Sequence, residues 1–472
     1  MSLAVEQTAP PGWRRGRAVP GVGPRAAAID RHFARLTATA LIVLVASDVF
    51  GGAIRFVLAT LGAPFLSYVP MLFSAGLAVA YFIYRGAISR LDRRTSLIHA
   101  FFAVFALYSF LAGAACGVAT GVAGVGRVAF ALYTWTPFFL GLALVSQGAE
   151  TLLLRHAAPW WALAVLGVVV NRFVHFPWTG SSFEVLGQES LVARDWTTNG
   201  LERLAGFSRA SYSAANEITV FGILLVARAG GSRTMRVLVW ILSMAAVALT
   251  TAKTPLMALL FVPPALGIQQ LLPAQRGRRH DTRFLLAMAT LAALMAALVI
   301  LPISSATQEL LFKYSFADVG FLTLSSMIDR TATMWPSAFA LIAADHNSLE
   351  WALGRGLGGI GSAQTIFEPH DTNTADNMFV FLYVTFGANC IVFGLAIFSR
   401  FRAICSEKGE RFVFFFALAA CVLVLGLATN VVESILPALA LGMLAGKSSC
   451  ESRELDGVQA LERGIATIAS RM

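Results

Sequence analysis

The sequence predicts an all-α polytopic membrane protein: a bundle of about 12 transmembrane helices with a long helical loop on its periplasmic face. Three observations predict this class. Hydrophobic residues make up 57% of the 472 residues and charged residues only 13%, whereas a soluble domain carries about 25% charged residues. The mean hydropathy is +0.71. The apolar residues also fall into runs of roughly 20, the length that crosses a bilayer.

Residues 1–35 contain four prolines and six arginines before the first apolar run. We predict a disordered cytoplasmic tail here. A cleaved signal peptide is excluded because the charged region is too long and the next apolar run is long enough to span. Residues 448–472 are predicted to form a second cytoplasmic tail.

The transmembrane bundle is predicted over residues 36–447. Its spans are predicted at 36–54, 65–84, 97–116, 128–147, 158–176, 213–229, 236–252, 254–273, 284–303, 377–398, 411–429 and 431–447. Only a Lys-Thr-Pro break separates 236–252 from 254–273. This pair is therefore either a hairpin of two spans or a pair of broken helices that line a cavity.

The basic residues orient the bundle. With the N-terminus inside, 26 of the 36 lysines and arginines fall in cytoplasmic segments, as the positive-inside rule requires. This predicts a bacterial inner membrane protein with both termini in the cytoplasm. The net charge of +10 does not indicate nucleic-acid binding, because the basic residues are spread in short clusters between apolar runs.

Two outer loops are long, at 177–212 and 304–376. Long loops in membrane proteins usually carry function. Helical periodicity in the second loop predicts helices at 324–343 and 348–352, which the glycines at 354–361 should end.

Five outer arginines depart from the positive-inside rule. They are Arg194, Arg203, Arg209, Arg330 and Arg355. Arginine grips phosphate or pyrophosphate with a planar fork, so the set predicts an anion site. The alternative for each one is loop solubility and salt bridges to neighbours such as Glu202 and Asp329.

Four further polar residues lie within or at the ends of spans. Lys253 is costly there unless it faces a wet cavity or an anion; the alternative is snorkelling to the outer interface. Asp48 and Glu433 are expected to pair with basic neighbours, Arg55 being near Asp48. Glu217 directly follows the first arginine loop, so it is a candidate partner of those arginines.

The segment 368–377 places His370, Asp371 and Asp376 beside the start of a span. One interpretation is a general base at the membrane surface. The other is that Asp376-Asn377 only caps the helix. The sequence has no metal-ligand spacing and no phosphate-binding glycine loop that follows a strand.

Motifs between Arg203 and Gly387 resemble the O-antigen ligase and Wzy-type polysaccharide polymerase superfamily. Arg203-Leu-Ala-Gly-Phe207 with Asn216 is similar to the family's arginine–glycine segment before a span. Leu249-Thr-Thr-Ala-Lys-Thr254 is similar to its Thr-x-Ser-Arg turn, with Lys253 in place of the arginine.

The long loop and its end carry the rest of the resemblance. Asp329-Arg330 and Gly354-x-Gly-x-Gly358 look like the long-loop arginine and its glycine turn. Asp376-Asn377, then nine residues and Gly387, is similar to the ligase motif His-Asn-x9-Gly-x-x-Gly. Aspartate replaces the ligase histidine and Cys390 replaces the final small residue. His370 lies six residues too early to fill the histidine position.

The resemblance implies a GT-C-like, metal- and cofactor-independent transfer of an undecaprenyl-diphosphate-linked glycan. Under it, Arg203, Arg209, Arg330 and Lys253 bind the pyrophosphate, and Asp376 or His370 accepts a proton. Supporting residues are Arg194, Glu217, Arg355 and Asn377. The missing histidine favours a polymerase of repeat units over a ligase. Implied partners are the lipid-linked glycan, membrane lipids, a chain-length regulator and a flippase.

Two other classes remain open. A twelve-helix secondary transporter has the right number of helices. A transporter of the major facilitator type, however, has its long middle loop in the cytoplasm between spans six and seven, whereas the longest loop here is predicted outside between spans nine and ten. A scaffold protein of a secretion complex is the other alternative.

We predict that a cysteine at position 340 is labelled by a membrane-impermeant maleimide in intact spheroplasts. The warrant is the inside excess of basic residues, which puts 304–376 outside. A cysteine at position 280, in the predicted cytoplasmic segment 276–283, should be labelled only after the membrane is broken. The opposite pattern would overturn the topology.

Overall fold

A computed structural model of the chain describes residues 24–87, 91, 93–115, 121–185, 188–198, 200–228, 232–271, 282–304, 309, 325–343, 348–368, 372–407 and 409–446. This part of the chain is mainly α-helical. Its α-helices are α1 (Pro24–Val49), α2 (Gly51–Thr60), α3 (Val69–Ala87), α4 (Arg93–Ala115), α5 (Gly121–Thr134), α6 (Thr136–Ser146), α7 (Thr151–Asn171), α8 (Ser211–Ala227), α9 (Arg233–Leu249), α10 (Lys253–Leu271), α11 (Thr282–Ile303), α12 (Ser325–Asp329), α13 (Trp335–Ala343), α14 (Ser348–Leu353), α15 (Ser362–Phe367), α16 (Met378–Phe386), α17 (Cys390–Ser406), α18 (Gly409–Gly426) and α19 (Ile435–Ala445). Short 3-10 helices lie at Pro64–Tyr68, Gly387–Asn389 and Val431–Glu433, and a π-helical turn lies at Arg330–Met334.

The loop 177–212 adds two β-hairpins to the predicted all-α class. β1 (Ser182–Val185) pairs antiparallel with β2 (Gln188–Leu191), and β3 (Thr197–Thr198) pairs with β4 (Leu201–Glu202). The second hairpin has a local cause in the sequence. Gly200, which lies between its strands, has φ +75°, a conformation that glycine adopts without strain.

By length and composition, eight helical segments of the described chain can cross a membrane, or nine if the bent pair α5–α6 is one span. They coincide with nine of the predicted spans, which confirms a helical, multi-pass architecture. The predicted spans 213–229, 236–252 and 431–447 correspond to α8, α9 and α19, which have 17, 17 and 11 residues. These three are shorter than the about 20 residues of a full crossing.

The pair α5–α6 bends by 45° where a single straight span was predicted at 128–147. The break falls at Trp135, just before Thr136-Pro137 at the start of α6. Proline has no backbone N–H to continue the helix. Trp135 is fully buried, with its ring centroid 4.7 Å from that of Phe102 and 5.3 Å from that of Phe138, so the bend is packed into the core.

Three apolar helices form the centre of the bundle. α8, α18 and α19 are mainly apolar and almost entirely buried, as expected for helices without an exposed polar face. The most apolar stretch of α18 is 83% buried inside the protein, against 17% for α11. The outer helices therefore present leucine, isoleucine and valine side chains to the surroundings, as lipid-facing helices do.

Glycines bring α6 and α19 into direct backbone contact. A Cβ atom on Gly442 would overlap the carbonyl oxygen of Phe138, and one on Gly141 would overlap the carbonyl oxygen of Leu439. Small residues at helix crossings allow such close approach in membrane proteins. The crossing fixes α19 in the core although it has only 11 residues.

The N-terminal tail is shorter than predicted. α1 begins at Pro24, so the last twelve residues of the predicted 1–35 tail are helical. Proline is favoured in the first turn of a helix, and Arg25-Ala-Ala-Ala continues with strong helix formers. Residues 1–23 and 448–472 lie outside the described residues, so the predicted tails there are untested.

The long loop contains the helices predicted for it. α12, the π-helical turn and α13 cover Ser325–Ala343, and α14 covers Ser348–Leu353, close to the predicted 324–343 and 348–352. The first long loop follows α7 and leads into α8, and the second follows α11 and leads into α16. These loops lie at one end of the bundle, where α10 also begins. We call this the loop end of the bundle.

We predict that Gly442→Ala lowers the free energy of unfolding by at least about 1–3 kcal/mol, because the added methyl group overpacks a closed contact. Gly446→Ala is the matched control, since its Cβ would make only ordinary contacts of 3.4 Å or more. Thermal unfolding in detergent measures both. Equal stability of the two variants would show that α6 and α19 separate easily.

Candidate functional site at the loop end

The segment 203–209 is held against α7 by a glycine. Gly206 has φ +62°, and a Cβ there would lie 2.8 Å from the backbone of Gly167 and Val168. Its N–H donates to Oδ1 of Asn171 at 3.0 Å. Only glycine combines this conformation with so close an approach. Arg203 and Arg209, at the two ends of the segment, are thereby placed at the loop end.

Asn377 fixes the start of α16. Its Oδ1 accepts the N–H of Val380 at 3.0 Å, and its Nδ2 donates to the carbonyl oxygens of Leu298 and Leu427. It is fully buried. The capping interpretation is therefore correct for Asn377, a cap of the type that favours asparagine. The side chain of Asp376 is left out of the cap.

Asp376 instead pairs with Arg330. Nη2 of Arg330 lies 3.0 Å from Oδ2 of Asp376, and both side chains are partly exposed. Nη1 of Arg330 donates to the carbonyl oxygen and hydroxyl of Ser326. Arg330 opens the π-helical turn, a feature found often at functional sites. The ion-pair partner of Arg330 is therefore a residue 46 positions away and not its neighbour Asp329, which was the alternative.

Backbone strain lies next to two of the predicted site residues. Thr251 and Ala375 are the non-glycine residues with positive φ in the described chain, at +57° and +44°. Each such conformation costs on the order of 1–2 kcal/mol. Thr251 is two residues before Lys253 and Ala375 directly precedes Asp376. Strain of this kind clusters at functional sites.

Arg203, Lys253 and Arg330 interact with one another electrostatically. Burial lowers the pKa of Arg203, the charge of Arg330 lowers it further, and Asp376 raises it. Lys253, at the start of α10, interacts electrostatically with both arginines. We call these three cations together with Asp376 the cationic site. Its residues come from three distant parts of the chain: the first long loop, the start of α10 and the second long loop.

Arg209 interacts electrostatically with a second group of cations, Arg55 and Arg194, and a single pocket for Arg203, Arg209 and Arg330 stays a prediction. The pKa of Arg209 is lowered to about 10, mainly by burial and also by the charges of Arg55 and Arg194. Arg194 belongs to this group too. Trp196 joins the groups, with its ring 4.9 Å from the Cζ atom of Arg194 and 5.2 Å from that of Arg203.

The sequence indicated Arg55 only as a partner of Asp48, and that expectation is wrong. Within the described residues the two form no ion pair, and the guanidinium of Arg55 lies 5.6 Å from the ring of Tyr68. The available signal was its predicted place outside, among arginines that the positive-inside rule does not explain.

Glu217 is not a partner of the arginines, contrary to expectation. It is fully buried and accepts hydrogen bonds from the hydroxyl of Ser208 at 2.9 and 3.1 Å. It also interacts electrostatically with Asp48. In the described chain it forms no ion pair with an arginine.

Arg355 supports the fold and not the cationic site. It is buried and donates to Oε2 of Glu368 at 3.0 Å, while buried Arg127 donates to Oε1 at 2.7 Å. Arg127 also donates to the carbonyl oxygen of Arg355. One carboxylate therefore neutralises two arginines and holds the glycine turn 354–361 against α5. Four glycines of this turn have positive φ.

The remaining predicted base cannot be placed. His370 and Asp371 lie outside the described residues. Glu433, which was expected to pair with a cation, accepts the N–H of Ser362 at 2.9 Å and interacts electrostatically with Asp376. A second carboxylate thus lies near the cationic site. In the described chain, no three His, Cys, Asp or Glu side chains are grouped as metal ligands.

Comparisons with family models, curated proteins and solved structures find no match. What the site can do is therefore argued from its geometry. Two guanidinium groups, one ammonium group and one carboxylate meet at the end of an apolar bundle. This combination suits an anionic group delivered from the membrane, with a carboxylate beside it.

We predict that Glu368→Gln lowers the free energy of unfolding by about 3–5 kcal/mol, because two buried arginines lose their counter-charge. Unfolding in mixed detergent micelles measures this. Glu184→Gln, on an exposed hairpin position, is the control and should change stability by less than about 0.5 kcal/mol. An effect of Glu368→Gln as small as the control would refute its bridging role.

Proposed function

We propose that the protein is a Wzy-type polysaccharide polymerase. It transfers undecaprenyl-diphosphate-linked oligosaccharide repeat units onto a growing glycan at the periplasmic face, without a metal ion. The observation that carries the proposal is the convergence of Arg203, Lys253 and Arg330 beside Asp376. The resemblance of the motifs around these residues to the ligase and polymerase superfamily supports it.

The cations supply what the leaving group needs. Breaking the bond between the sugar and the lipid diphosphate increases negative charge on the diphosphate. Preorganised cations aimed at that charge stabilise the transition state. Arg203 and Arg330 offer planar forks that bind phosphate oxygens in pairs, and Lys253 adds a point charge.

Asp376 is the proposed base, with an exchange of partners. In the structure Arg330 binds Asp376 at 3.0 Å. A bound diphosphate competes for the same guanidinium, and its arrival frees the carboxylate. The freed carboxylate accepts the proton of the acceptor hydroxyl as that oxygen attacks the anomeric carbon. The lipid diphosphate leaves with the electron pair of the broken bond. His370 is the alternative base.

The finer architecture is part of the same proposal. We propose that α8, α9 and α19 also cross the membrane, which makes twelve spans in a GT-C-like arrangement. Both termini then lie in the cytoplasm of a bacterium and the loop end faces the periplasm, where a flippase delivers lipid-linked glycans. A chain-length regulator is the expected protein partner.

One observation favours a different class. Glu217 is fully buried near Asp48 inside the helix bundle. Carboxylates in that position are used by proton-coupled transporters. A secondary transporter is therefore the second candidate, and the ligase of the same superfamily is the third. The cationic site favours the polymerase, because a transporter has no need for cations held at the loop end beside strained backbone.

We predict that Arg330→Lys and Arg203→Lys each reduce polymer formation at least about tenfold. A point charge does not reproduce the fork that stabilises a developing diphosphate charge. Arg172→Lys, at an exposed position of the same end, is the control. Gel analysis of the polymer made by cells carrying each variant measures the effect. Normal polymer from both Arg330→Lys and Arg203→Lys would refute the claim that these guanidinium groups stabilise the diphosphate.

We predict that Asp376→Asn leaves the protein folded and abundant but stops polymerisation, because the amide cannot accept the proton. Cells then accumulate single lipid-linked repeat units, which mass spectrometry of extracted lipids detects. Normal-length polymer would refute Asp376 as the base and turn attention to His370. A deletion strain that makes polymer but cannot attach it to lipid A would establish the ligase instead.

A further inference from the structure

A second group of cations lies beside the cationic site and has no role in the proposed diphosphate chemistry. It consists of Arg55, Arg194 and Arg209, and we call it the arginine cluster. The N–H of Arg194 donates to the carbonyl oxygen of Arg209 at 2.9 Å. The backbone of Arg209 lies against Gly51, one helical turn before Arg55 on α2. Three separate segments thus place their arginines together.

The arginine cluster has no counter-charge of its own. Within the described chain, none of its three side chains forms an ion pair or donates a hydrogen bond. Nη1 of Arg55 and Nε of Arg209 are buried without a partner. Like charges that share a partly buried place repel one another, and unpaired buried charge is costly. Such an arrangement is expected where an anionic ligand completes it.

Aromatic side chains surround the arginines. Tyr68 lies under the guanidinium of Arg55, and the rings of Tyr68 and Tyr133 are 6.2 Å apart. Tyr212 lies beside Arg209 and its ring is 6.0 Å from that of Trp196. Tyrosine and tryptophan combine an apolar ring face with a hydrogen-bonding group. This combination suits the ring and hydroxyl groups of a sugar.

Trp196 connects the arginine cluster to the cationic site. Its ring contacts both Arg194 and Arg203, at 4.9 and 5.2 Å from their Cζ atoms. The two guanidinium groups are therefore at most about 10 Å apart. A short oligosaccharide spans that distance. A glycan whose diphosphate end occupies the cationic site reaches the arginine cluster with its next sugars.

We propose that the arginine cluster binds the carboxylate of an acidic sugar, so that the protein's substrate is a glycan containing uronic acid. This inference rests on the proposed function and names its substrate class. The carboxylate is gripped by Arg55 and Arg209 in the manner of bidentate arginine–carboxylate pairs. Arg194 and Trp196 hold the part of the sugar that points toward the cationic site.

An anionic lipid headgroup is the competing occupant. Arg55 lies on α2, and the apolar side chains of Val57 and Leu61 that follow it in the sequence are exposed. A lipid phosphate therefore has access to Arg55. The aromatic surroundings and the link through Trp196 favour the sugar, because a headgroup needs neither. The experiment must distinguish a bound lipid headgroup from a bound sugar.

The test uses the full-length protein in nanodiscs of zwitterionic lipid and calorimetric titration with three kinds of probe. The first is a set of trisaccharides of glucuronate and galacturonate. The second is the same set with the carboxyl groups reduced. The third is geranylgeranyl diphosphate. We expect the affinity of each trisaccharide that binds to fall at least about tenfold when its carboxyl groups are reduced. This is the loss typical of charged hydrogen bonds.

Variants assign the two sites separately. Arg55→Gln and Arg194→Gln should each weaken uronate binding about tenfold or more and leave diphosphate binding within about twofold. Arg203→Gln should do the reverse. Arg172→Gln is the matched control and should change neither. Arg194 lies in a partly exposed loop, so its variant is informative even if Arg55→Gln reduces the yield of folded protein.

Each outcome decides one claim. Equal affinity for carboxylated and reduced sugars would overturn the inference. Uronate binding that disappears in nanodiscs with phosphatidylglycerol would show that a headgroup occupies the cluster and would also overturn it. Failure to bind geranylgeranyl diphosphate would instead refute the proposed function, whatever the sugars do.

Discussion

Charge that is drawn out of water must be neutralised, and this constraint orders the loop end of the protein. The buried arginines Arg127 and Arg355 share the carboxylate of Glu368. Arg330 takes Asp376. Arg203 and the arginine cluster have no carboxylate bound to them in the described chain. The two ion pairs of Glu368 hold the fold together, whereas we propose that an anionic ligand completes the set formed by Arg203 and the arginine cluster.

Glycine and asparagine build the scaffold that makes this distribution possible. Gly206 lets the 203–209 segment touch α7, and Asn377 ties α16 to the ends of α11 and α18. Because Asn377 supplies the cap, Asp376 is available for chemistry. The strained residues Thr251 and Ala375 lie one or two positions before Lys253 and Asp376 in the sequence. Packing elsewhere, such as the α6–α19 contact at Gly442, offsets such local strain.

The sequence predicted those features whose cause is local. Apolar runs located most of the membrane helices, and arginines on the wrong side of the membrane pointed to Arg203 and Arg330. The features that the sequence did not predict depend on residues that are far apart in the chain. Glu368 lies 241 residues from Arg127, so no spacing rule connects them, and Arg355 was assigned to the anion site. Arg55 was paired with Asp48 by proximity in sequence, but the helix is interrupted at Phe50 between α1 and α2, and Asp48 interacts with Glu217 instead.

A structure of the protein in lipid nanodiscs with a bound polyprenyl diphosphate tests the central claim most directly. The account predicts that the diphosphate oxygens lie within hydrogen-bonding distance of both Arg203 and Arg330. It also predicts that Arg330 has moved away from Asp376. A diphosphate found elsewhere, or one bound while the Arg330–Asp376 pair stays closed at 3.0 Å, would contradict it.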